Sequence, residues 1–249
     1  MLRVSVLVPA YNEERTILEI LSRVRAQAVA GVEFEVVVIN DASKDGTLAK
    51  LQSRPDLYDR LISHEKNAGK GAAVKSGLAA ATGEYVLFQD ADLEYDPAEY
   101  EKLLLPIKRF NADIVMGSRF LAPPYTRVHY LWHKIGNRSL TSMFNVLFNK
   151  TFTDIYSCYL MYRRLLIQPD ELKTSGWQQQ AEILCRAVSR SRAHYEVPIG
   201  YHGRTYDEGK KIRAWHALSV AWTIGIMRLK CRTELKARMP VPAVSTTPR

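Results

Sequence analysis

The sequence predicts a single α/β domain whose mostly parallel central sheet is flanked by helices. Two observations lead to this fold class: strand-like segments alternate with helical ones, and the strand-like segments are apolar throughout. Both features are typical of parallel sheets that are covered by helices on their two faces. At 249 residues, the chain is long enough for one such domain with a full core.

The predicted elements follow one another in that alternation. The first half contains strands at 4–8, 35–39, 61–64 and 85–88, with helices at 13–28, from 47, and at 71–81. The second half is less regular, with strands at 113–116 and 195–197 and helices at 132–148 and 176–190. Polar clusters follow the first four strands, at 9–13, 40–45, 67–70 and 90–94. Because ligands bind beyond the C-terminal ends of parallel strands, these clusters predict one shared site.

Paired acids close the fourth predicted strand. Asp90 and Asp92 lie two residues apart, and Glu94 follows two residues later. In extended geometry such side chains share a face, and carboxylates on one face suit a hard divalent cation together with substrate phosphates. Alternatively, the acids only cap a turn before a helix that opens at Asp96 and Pro97. The pair alone fits both interpretations, and the convergence of four loops on one edge favours the metal site.

Positive charge is concentrated at the C-terminal end. The chain carries a net charge of +9, and residues 200–249 contribute +7 of it, from ten Lys/Arg and three acids. A basic terminal region indicates an anionic partner, either a membrane surface or a polyanion. No recognised nucleic-acid-binding motif accompanies this charge, so nucleic acid is not an expected partner.

The basic region contains a predicted amphipathic helix at 211–232, followed by a predicted disordered tail at 233–249. Its apolar residues recur at three- and four-residue steps on one face: Trp215, Leu218, Trp222, Ile226 and Leu229. This pattern fits a helix lying in a membrane interface, and it equally fits a helix packed on the body of the protein. The uncharged stretch at 214–227 spans about 21 Å as a helix, too short for a bilayer core of about 30 Å.

Cysteine usage and the N-terminus predict a cytoplasmic protein. Cys158, Cys185 and Cys231 are odd in number and widely spaced, which indicates buried or free thiols. The apolar run at 4–8 is too short for a signal peptide. Together with the basic helix, these features predict a peripheral position on the cytoplasmic membrane face.

Five short motifs lie in and after the predicted strands: VLVPAYNEE at 6–14, NDASKDGT at 40–47, NAGKG at 67–71, DAD at 90–92 and GSR at 117–119. They resemble the motifs of the inverting family 2 glycosyltransferases of the GT-A fold, and most closely those of the dolichyl-phosphate (polyprenyl-phosphate) mannose synthase group. Each motif is weak, but all five in order make a specific resemblance that covers about residues 3–230. It implies a GT-A domain at 1–232, with a nucleotide-sugar-binding half at 1–110 and an acceptor-binding half at 111–210.

The resemblance implies a set of nucleotide-sugar-binding residues. By it, Pro9, Tyr11 and Glu13 line the base and ribose pocket, and Asp41 faces the nucleoside. A tyrosine ring can stack on a base, and carboxylates accept hydrogen bonds from ribose hydroxyls. Lys70, in a glycine-flanked loop, is a candidate phosphate ligand, with a solvated surface lysine as the alternative.

The resemblance also implies a metal centre. Asp90 and Asp92 inherit the role of holding Mn²⁺ or Mg²⁺ against the donor diphosphate, with the backbone of Ala91 close to the sugar nucleotide. Neutralising the leaving diphosphate is what the reaction needs. Glu94 is a candidate third ligand, although many lipid-carrier relatives have Gln at its position.

A third set of residues is implied for the acceptor phosphate. Arg119, Arg138 and Arg204 lie in contexts that match the arginines of the lipid-phosphate group, and Ser142 follows Arg138 by four residues. On a helix, residues i and i+4 share a face, so Arg138 and Ser142 are predicted to hold one anion. The alternative for each arginine is a surface ion pair.

The function implied by the resemblance is transfer of a hexose from a nucleoside diphosphate to a polyprenyl phosphate, with inversion at the anomeric carbon. Mannose from GDP-mannose is the first candidate for the donor sugar. Asp90, Asp92 and Arg119 are the predicted catalytic residues. One alternative is a saccharide hydroxyl acceptor, which requires a base, with Glu182 first and Asp154 second, although Glu182 is expected on a helix surface. A second alternative is a non-catalytic module that binds nucleotide sugars or membranes.

Overall fold

A computed structural model describes residues 1–122, 131–203 and 216–237 of the chain. Seven strands form one sheet: β1 Leu2–Ala10, β2 Val32–Asn40, β3 Arg60–Ser63, β4 Tyr85–Phe88, β5 Ile114–Ser118, β6 Leu160–Arg163 and β7 His194–Pro198. Within the described residues, seven α-helices accompany them: α1 Ile17–Arg25, α2 Thr47–Ser53, α3 Lys70–Ala80, α4 Tyr100–Phe110, α5 Leu131–Phe148, α6 Gln179–Arg190 and α7 His216–Ala237. The alternation predicted for the first half is confirmed.

The sheet has the strand order β3-β2-β1-β4-β6-β5-β7. The pairs β1–β2, β1–β4, β2–β3 and β5–β7 are parallel, whereas β6 runs antiparallel between β4 and β5. The predicted mostly parallel sheet is therefore confirmed. Strand β6 was not predicted, because it lies in the second half of the chain, where strands and helices do not alternate regularly.

The central strands β1, β2 and β4 carry the core. Val4, Val6, Leu7 and Val8 are fully buried, as is the 36–39 run of β2, because helices cover both faces of the sheet. Because both faces of these strands are buried, their sequences are nearly continuous apolar runs.

Helix α1 begins four residues later than predicted. The amide of Glu13 donates to Thr47 Oγ1 at 2.9 Å, and the amide of Glu14 donates to Asp45 Oδ2 at 3.1 Å. These bonds tie the loop after β1 to the start of α2, so residues 13–16 form a turn instead of a first helical turn. The loop after β1 is thereby held against the start of α2.

The C-terminal helix α7 packs on α5 and α6 through Val220, Ile224, Met227 and Cys231, which are nearly fully buried. Its opposite side carries an exposed apolar stripe of Leu218, Trp222 and Leu229. The helix continues to Ala237, so disorder was wrongly predicted for 233–237. Residues 211–215 and 238–249 lie outside the described residues.

No helix within the described part of the chain has the length and apolar content that crossing a membrane requires. Cys158, Cys185 and Cys231 are all buried, and no disulfide joins them, as predicted.

Candidate functional site

Two adjoining cavities open at the C-terminal edge of β1, β2 and β4. The larger has a volume of about 290 Å³ and the smaller about 100 Å³. The larger cavity is lined by all of the predicted nucleotide-sugar and metal residues: Pro9, Tyr11, Glu13, Asp41, Lys70, Asp90, Ala91, Asp92 and Glu94. The structure therefore brings together residues from four separate loops, as the position of the polar clusters predicted. Their individual roles remain predictions.

Lys70 and Asp90 form an ion pair on the wall shared by the two cavities. Lys70 begins α3, and its ammonium nitrogen lies 5.5 Å from the ring centre of Trp177. Burial by itself disfavours the ammonium form, but the Asp90 carboxylate outweighs it and raises the pKa of Lys70 above its ordinary value. Lys70 is thus a fixed positive charge at the cavity wall rather than a solvated surface lysine.

Asp41 fixes the 67–70 loop, which ends at Lys70. Its carboxylate accepts hydrogen bonds from the amides of Ala68 at 3.0 Å and Gly69 at 2.8 Å. The Nδ1 atom of His64 lies 2.7 Å from Asp41 Oδ1, and its Nε2 atom lies 2.9 Å from Ser76 Oγ. Asp41 therefore lines the larger cavity and also anchors its wall. Sequence reasoning missed His64, which only the fold brings to Asp41.

The Asp90–Glu94 segment is held at its base by Gln89. This fully buried side chain donates to the carbonyl of Asp90 at 3.0 Å and accepts from the hydroxyls of Tyr100 and Tyr159, each at 2.8 Å. Fixing the strand end in this way holds the two carboxylates that follow it at the cavity. Further along, the amide of Glu94 donates to Asp92 Oδ1 at 3.1 Å.

The donor chemistry of this segment fits a hard divalent cation. Mg²⁺ is ordinarily bound through one or two carboxylates and substrate phosphates, and Asp90 and Asp92 supply two carboxylates at a cavity large enough for a ligand. Among residues 1–122, 131–203 and 216–237, however, no three His, Cys, Asp or Glu side chains form a group that would hold a metal. The predicted set with Glu94 as third ligand is therefore not preassembled.

Arg119 lines the smaller cavity and forms a buried ion pair with Asp154. Its Nε donates to Asp154 Oδ2 at 2.7 Å and its Nη2 to Oδ1 at 2.9 Å, a two-pronged contact. Burial would raise the pKa of Asp154, but the guanidinium outweighs it and holds that pKa below its ordinary value. Asp154 therefore positions Arg119 and is unsuited to act as a base.

Two of the other predicted acceptor residues, Arg138 and Ser142, lie away from the cavities. Arg138 and Ser142 are exposed on α5 and line neither cavity, while Arg204 lies outside the described residues. The neighbouring Asn137 faces inward instead, and its Nδ2 donates to Asp154 Oδ1 at 2.9 Å. Helix phase explains the difference, because consecutive helical residues point about 100° apart.

Glu182 was predicted on a helix surface, and the structure contradicts this. It is 1 % exposed and accepts hydrogen bonds from the amides of Lys173 and Thr174 and from the Thr174 hydroxyl. Its carboxylate also pairs with Arg186 at 3.1 Å. Glu182 lines neither cavity, so it anchors the 173–177 loop instead of facing a substrate.

That loop crosses the start of α3. The amide of Gly71 donates to the carbonyl of Ser175 at 2.8 Å, and a β-carbon at Gly71 would lie 2.4 Å from the Ser175 carbonyl carbon. Only glycine allows this approach, which places Trp177 beside Lys70. Trp177, Tyr156, Cys158 and Tyr201 line the smaller cavity and were not predicted, because they come from the irregular second half.

Replacing Glu182 by Gln is expected to lower the melting temperature while keeping turnover within about ten-fold of the wild type. The amide removes the charge that pairs with Arg186 but keeps an acceptor for the loop amides. The acidic limb of the pH–rate profile, where a catalytic carboxylate base would become protonated, should not move. Loss of that limb in a folded variant would instead identify Glu182 as the base of a hydroxyl-acceptor reaction.

Solved structures with the same fold define its class. Glucosyl-3-phosphoglycerate synthase from Mycobacterium tuberculosis, in complex with phosphoglyceric acid, superposes with a TM-score of 0.67 at 22% identity, covering 90% of this chain and 79% of that one. S. aureus TarS 1–349 superposes at 0.59 with 20% identity, covering 92% and 72%. The fold is that of the GT-A glycosyltransferases, as the motifs implied.

The family follows from the sequence itself. The family model described as Glycosyl transferase family 2 matches residues 5–168, and the chain belongs to this family. A dolichol-phosphate mannosyltransferase of Pyrococcus furiosus is 29% identical over 212 residues, covering 84% of this chain and 59% of the relative. The low-salt glycan biosynthesis hexosyltransferase Agl6 of Haloferax volcanii is 27% identical over 210 residues, covering 80% of this chain and 48% of the relative. The chain thus spans about half the length of these curated relatives.

Proposed function

We propose that this protein transfers a hexose, with inversion, from a nucleoside diphosphate sugar to a polyprenyl phosphate. The observation that carries the proposal is the convergence of the nine predicted nucleotide-sugar and metal residues on one cavity of about 290 Å³, with Asp90 and Asp92 on its wall. Similarity to the dolichol-phosphate mannosyltransferase of Pyrococcus furiosus supports the acceptor and makes mannose the first sugar to test. GDP-mannose is accordingly the first donor, with UDP-sugars behind it.

The donor occupies the larger cavity in this proposal. Tyr11 and Glu13 flank the nucleoside end, and Asp90 and Asp92 would hold Mn²⁺ or Mg²⁺ at the diphosphate end. Such a metal would neutralise charge on the leaving diphosphate. A solved structure of the mycobacterial synthase carries Mn²⁺ and UDP, which supports testing Mn²⁺ first. Lys70 adds a second positive charge on the same wall.

The acceptor phosphate occupies the smaller cavity. Lys70 and Arg119 are its positive charges, and Asp90 and Glu94 are the acids among the described residues that line it. A phosphate monoester has a second pKa near ~6 and is already largely dianionic, so its oxygen attacks without losing a proton to a base. As the bond from that oxygen to the anomeric carbon forms, the bond to the nucleoside diphosphate breaks and its electron pair leaves with the diphosphate.

The saccharide-acceptor alternative loses both of its predicted bases. Glu182 anchors a loop away from the cavities, and Asp154 is buried against Arg119. The test incubates the wild-type protein and Mn²⁺ with labelled GDP-mannose, UDP-glucose and UDP-N-acetylglucosamine, each with polyprenyl phosphate or a free saccharide. We expect label in the lipid fraction. Label in the saccharide without lipid would overturn the proposed acceptor.

The acceptor's lipid tail requires access to a membrane, and the exposed stripe of α7 supports such a contact. Leu218, Trp222 and Leu229 are each about 70% exposed, and Lys230 and Arg232 follow on the same helix. Trp222→Glu is expected to weaken binding to anionic vesicles about ten-fold or more, because burying a large apolar side chain contributes about 1.5–3 kcal/mol.

Flotation with phosphatidylserine vesicles measures this effect. Leu165→Glu is the matched control, because Leu165 is 76% exposed on a different segment. Equal loss of flotation in both variants, or a wild type that stays entirely soluble, would contradict membrane contact through α7.

A further inference from the structure

Tyr201 lies between the two cavities and lines both of them. Its hydroxyl donates to Glu94 Oε2 at 2.8 Å. The next residue reinforces the contact, because the amide of His202 donates to the carbonyl of Glu94 at 3.0 Å. The segment after β7 is therefore joined to the Asp90–Glu94 segment through both side chain and backbone.

The ring of Tyr201 makes a second set of contacts on the acceptor side. Its centre lies 5.0 Å from the guanidinium carbon of Arg119, a cation–π distance. The ring of Tyr95 lies 5.1 Å away on a tilted plane and restricts the orientation of Tyr201. One side chain thus contacts an acid of the predicted metal segment through its hydroxyl and the cavity arginine through its ring.

We propose that Tyr201 is a positioning residue that sets the Glu94 carboxylate beside the Asp90 and Asp92 pair and thereby strengthens metal binding. The inference rests on the proposed function, since it assumes a divalent cation in the larger cavity. It assigns Glu94 a supporting role, through its charge or a bridging water, and not that of a third preassembled ligand.

The physical basis is the orientation of a carboxylate by a fixed donor. A phenol is protonated at neutral pH and so donates to an ionised carboxylate. Holding Oε2 in this way restricts the rotation of the Glu94 side chain and fixes where its negative charge stands. Partners that orient acids around a metal typically change metal affinity by about 10–100-fold when they are removed.

Tyr201→Phe isolates the hydroxyl, because it keeps the ring against Arg119 and Tyr95. The measurement is a Mn²⁺ titration followed by electron paramagnetic resonance, with GDP or UDP present at saturation. We expect Tyr201→Phe to weaken Mn²⁺ binding by about ten-fold. Tyr195→Phe is the matched control, because it removes a hydroxyl six residues earlier from a ring that stacks on Phe110; it should bind Mn²⁺ as the wild type does.

A double-mutant cycle separates positioning from a general structural effect. If Tyr201 acts through Glu94, then Tyr201→Phe should have no further effect on Mn²⁺ affinity when Glu94 is already Ala. An equal loss in both backgrounds, or no loss in the single variant, would overturn the inference. Far-ultraviolet circular dichroism and melting temperatures verify that each variant is folded.

Mn²⁺ binding by the wild type separates failure of the proposed role of Tyr201 from failure of the proposed metal site. Mn²⁺ binding by the wild type that is unchanged in Tyr201→Phe overturns the role of Tyr201 and leaves the proposed function standing. Absence of Mn²⁺ binding by the wild type with either nucleotide overturns the metal site of the proposed function, and the role of Tyr201 with it.

Discussion

Asp92→Asn is expected to lower turnover by about 10²–10³-fold without unfolding the protein, because it removes a charge from the proposed metal site. The Asn side chain has the same size and keeps the oxygen that accepts from the Glu94 amide, so the local backbone has no reason to rearrange. Higher Mn²⁺ concentrations should restore part of the lost turnover. Initial rates measured across a Mn²⁺ series, with the donor and acceptor identified by the substrate panel, give this result.

Asp96→Asn is the control for that experiment. Asp96 lies four residues further and accepts from the Ala98 amide at 3.0 Å, a capping bond that Asn also makes. The turnover of Asp96→Asn and its Mn²⁺ dependence should match those of the wild type. A folded Asp92→Asn protein with full turnover would instead favour a non-catalytic binding module.

Asp154→Ala is expected to reduce the free energy of unfolding by about 3–5 kcal/mol, because it leaves the largely buried Arg119 guanidinium without its carboxylate. The same change removes the acceptor for Asn137 and for the amide of Tyr156. Urea unfolding followed by circular dichroism measures the loss. Asp170→Ala, an exposed acid, should change it by no more than about 0.5 kcal/mol.

The pH dependence of this pair has a definite sign. The pKa of Asp154 is lower in the folded protein than its ordinary value, which is about 3.9 in an unfolded chain. The stabilisation is therefore fully present above about pH 4 and is lost as the pH falls through the lowered folded value. Below pH 4 the stability gap between wild type and Asp154→Ala should narrow. A gap that stays constant down to pH 2 would contradict this account of the pair.

The donor half of the site was predictable because its geometry follows from chain order. Pro9 lies at the end of a strand, Asp41 and Asp90 follow strands, and Lys70 begins a helix. Parallel strands present their C-terminal ends, and the loops that follow, at one edge of the sheet. The partners of these residues were not predictable. The bond between His64 and Asp41 spans 23 residues, and nothing local in the sequence signals it.

The acceptor half was less predictable, for two physical reasons. Arg138 and Ser142 share a helix face, as expected. The sequence does not show which face of α5 packs against the rest of the domain. In the structure that face includes Asn137, which donates to Asp154. Glu182 and Arg186 have the i, i+4 spacing of an exposed surface pair. They are buried because the 171–174 segment packs over α6. This packing depends on the tertiary fold and has no local signal in the sequence.

The central claim is that Asp90 and Asp92 hold a divalent cation against a nucleoside diphosphate, and crystals grown with Mn²⁺ and GDP or UDP test it most directly. Anomalous scattering from Mn²⁺ locates the ion independently of the protein atoms. We expect one strong anomalous peak within coordination distance of the Asp90 or Asp92 carboxylate and of the diphosphate, in the larger cavity. A nucleotide bound in that cavity without a Mn²⁺ peak, or a peak at other residues, would contradict it.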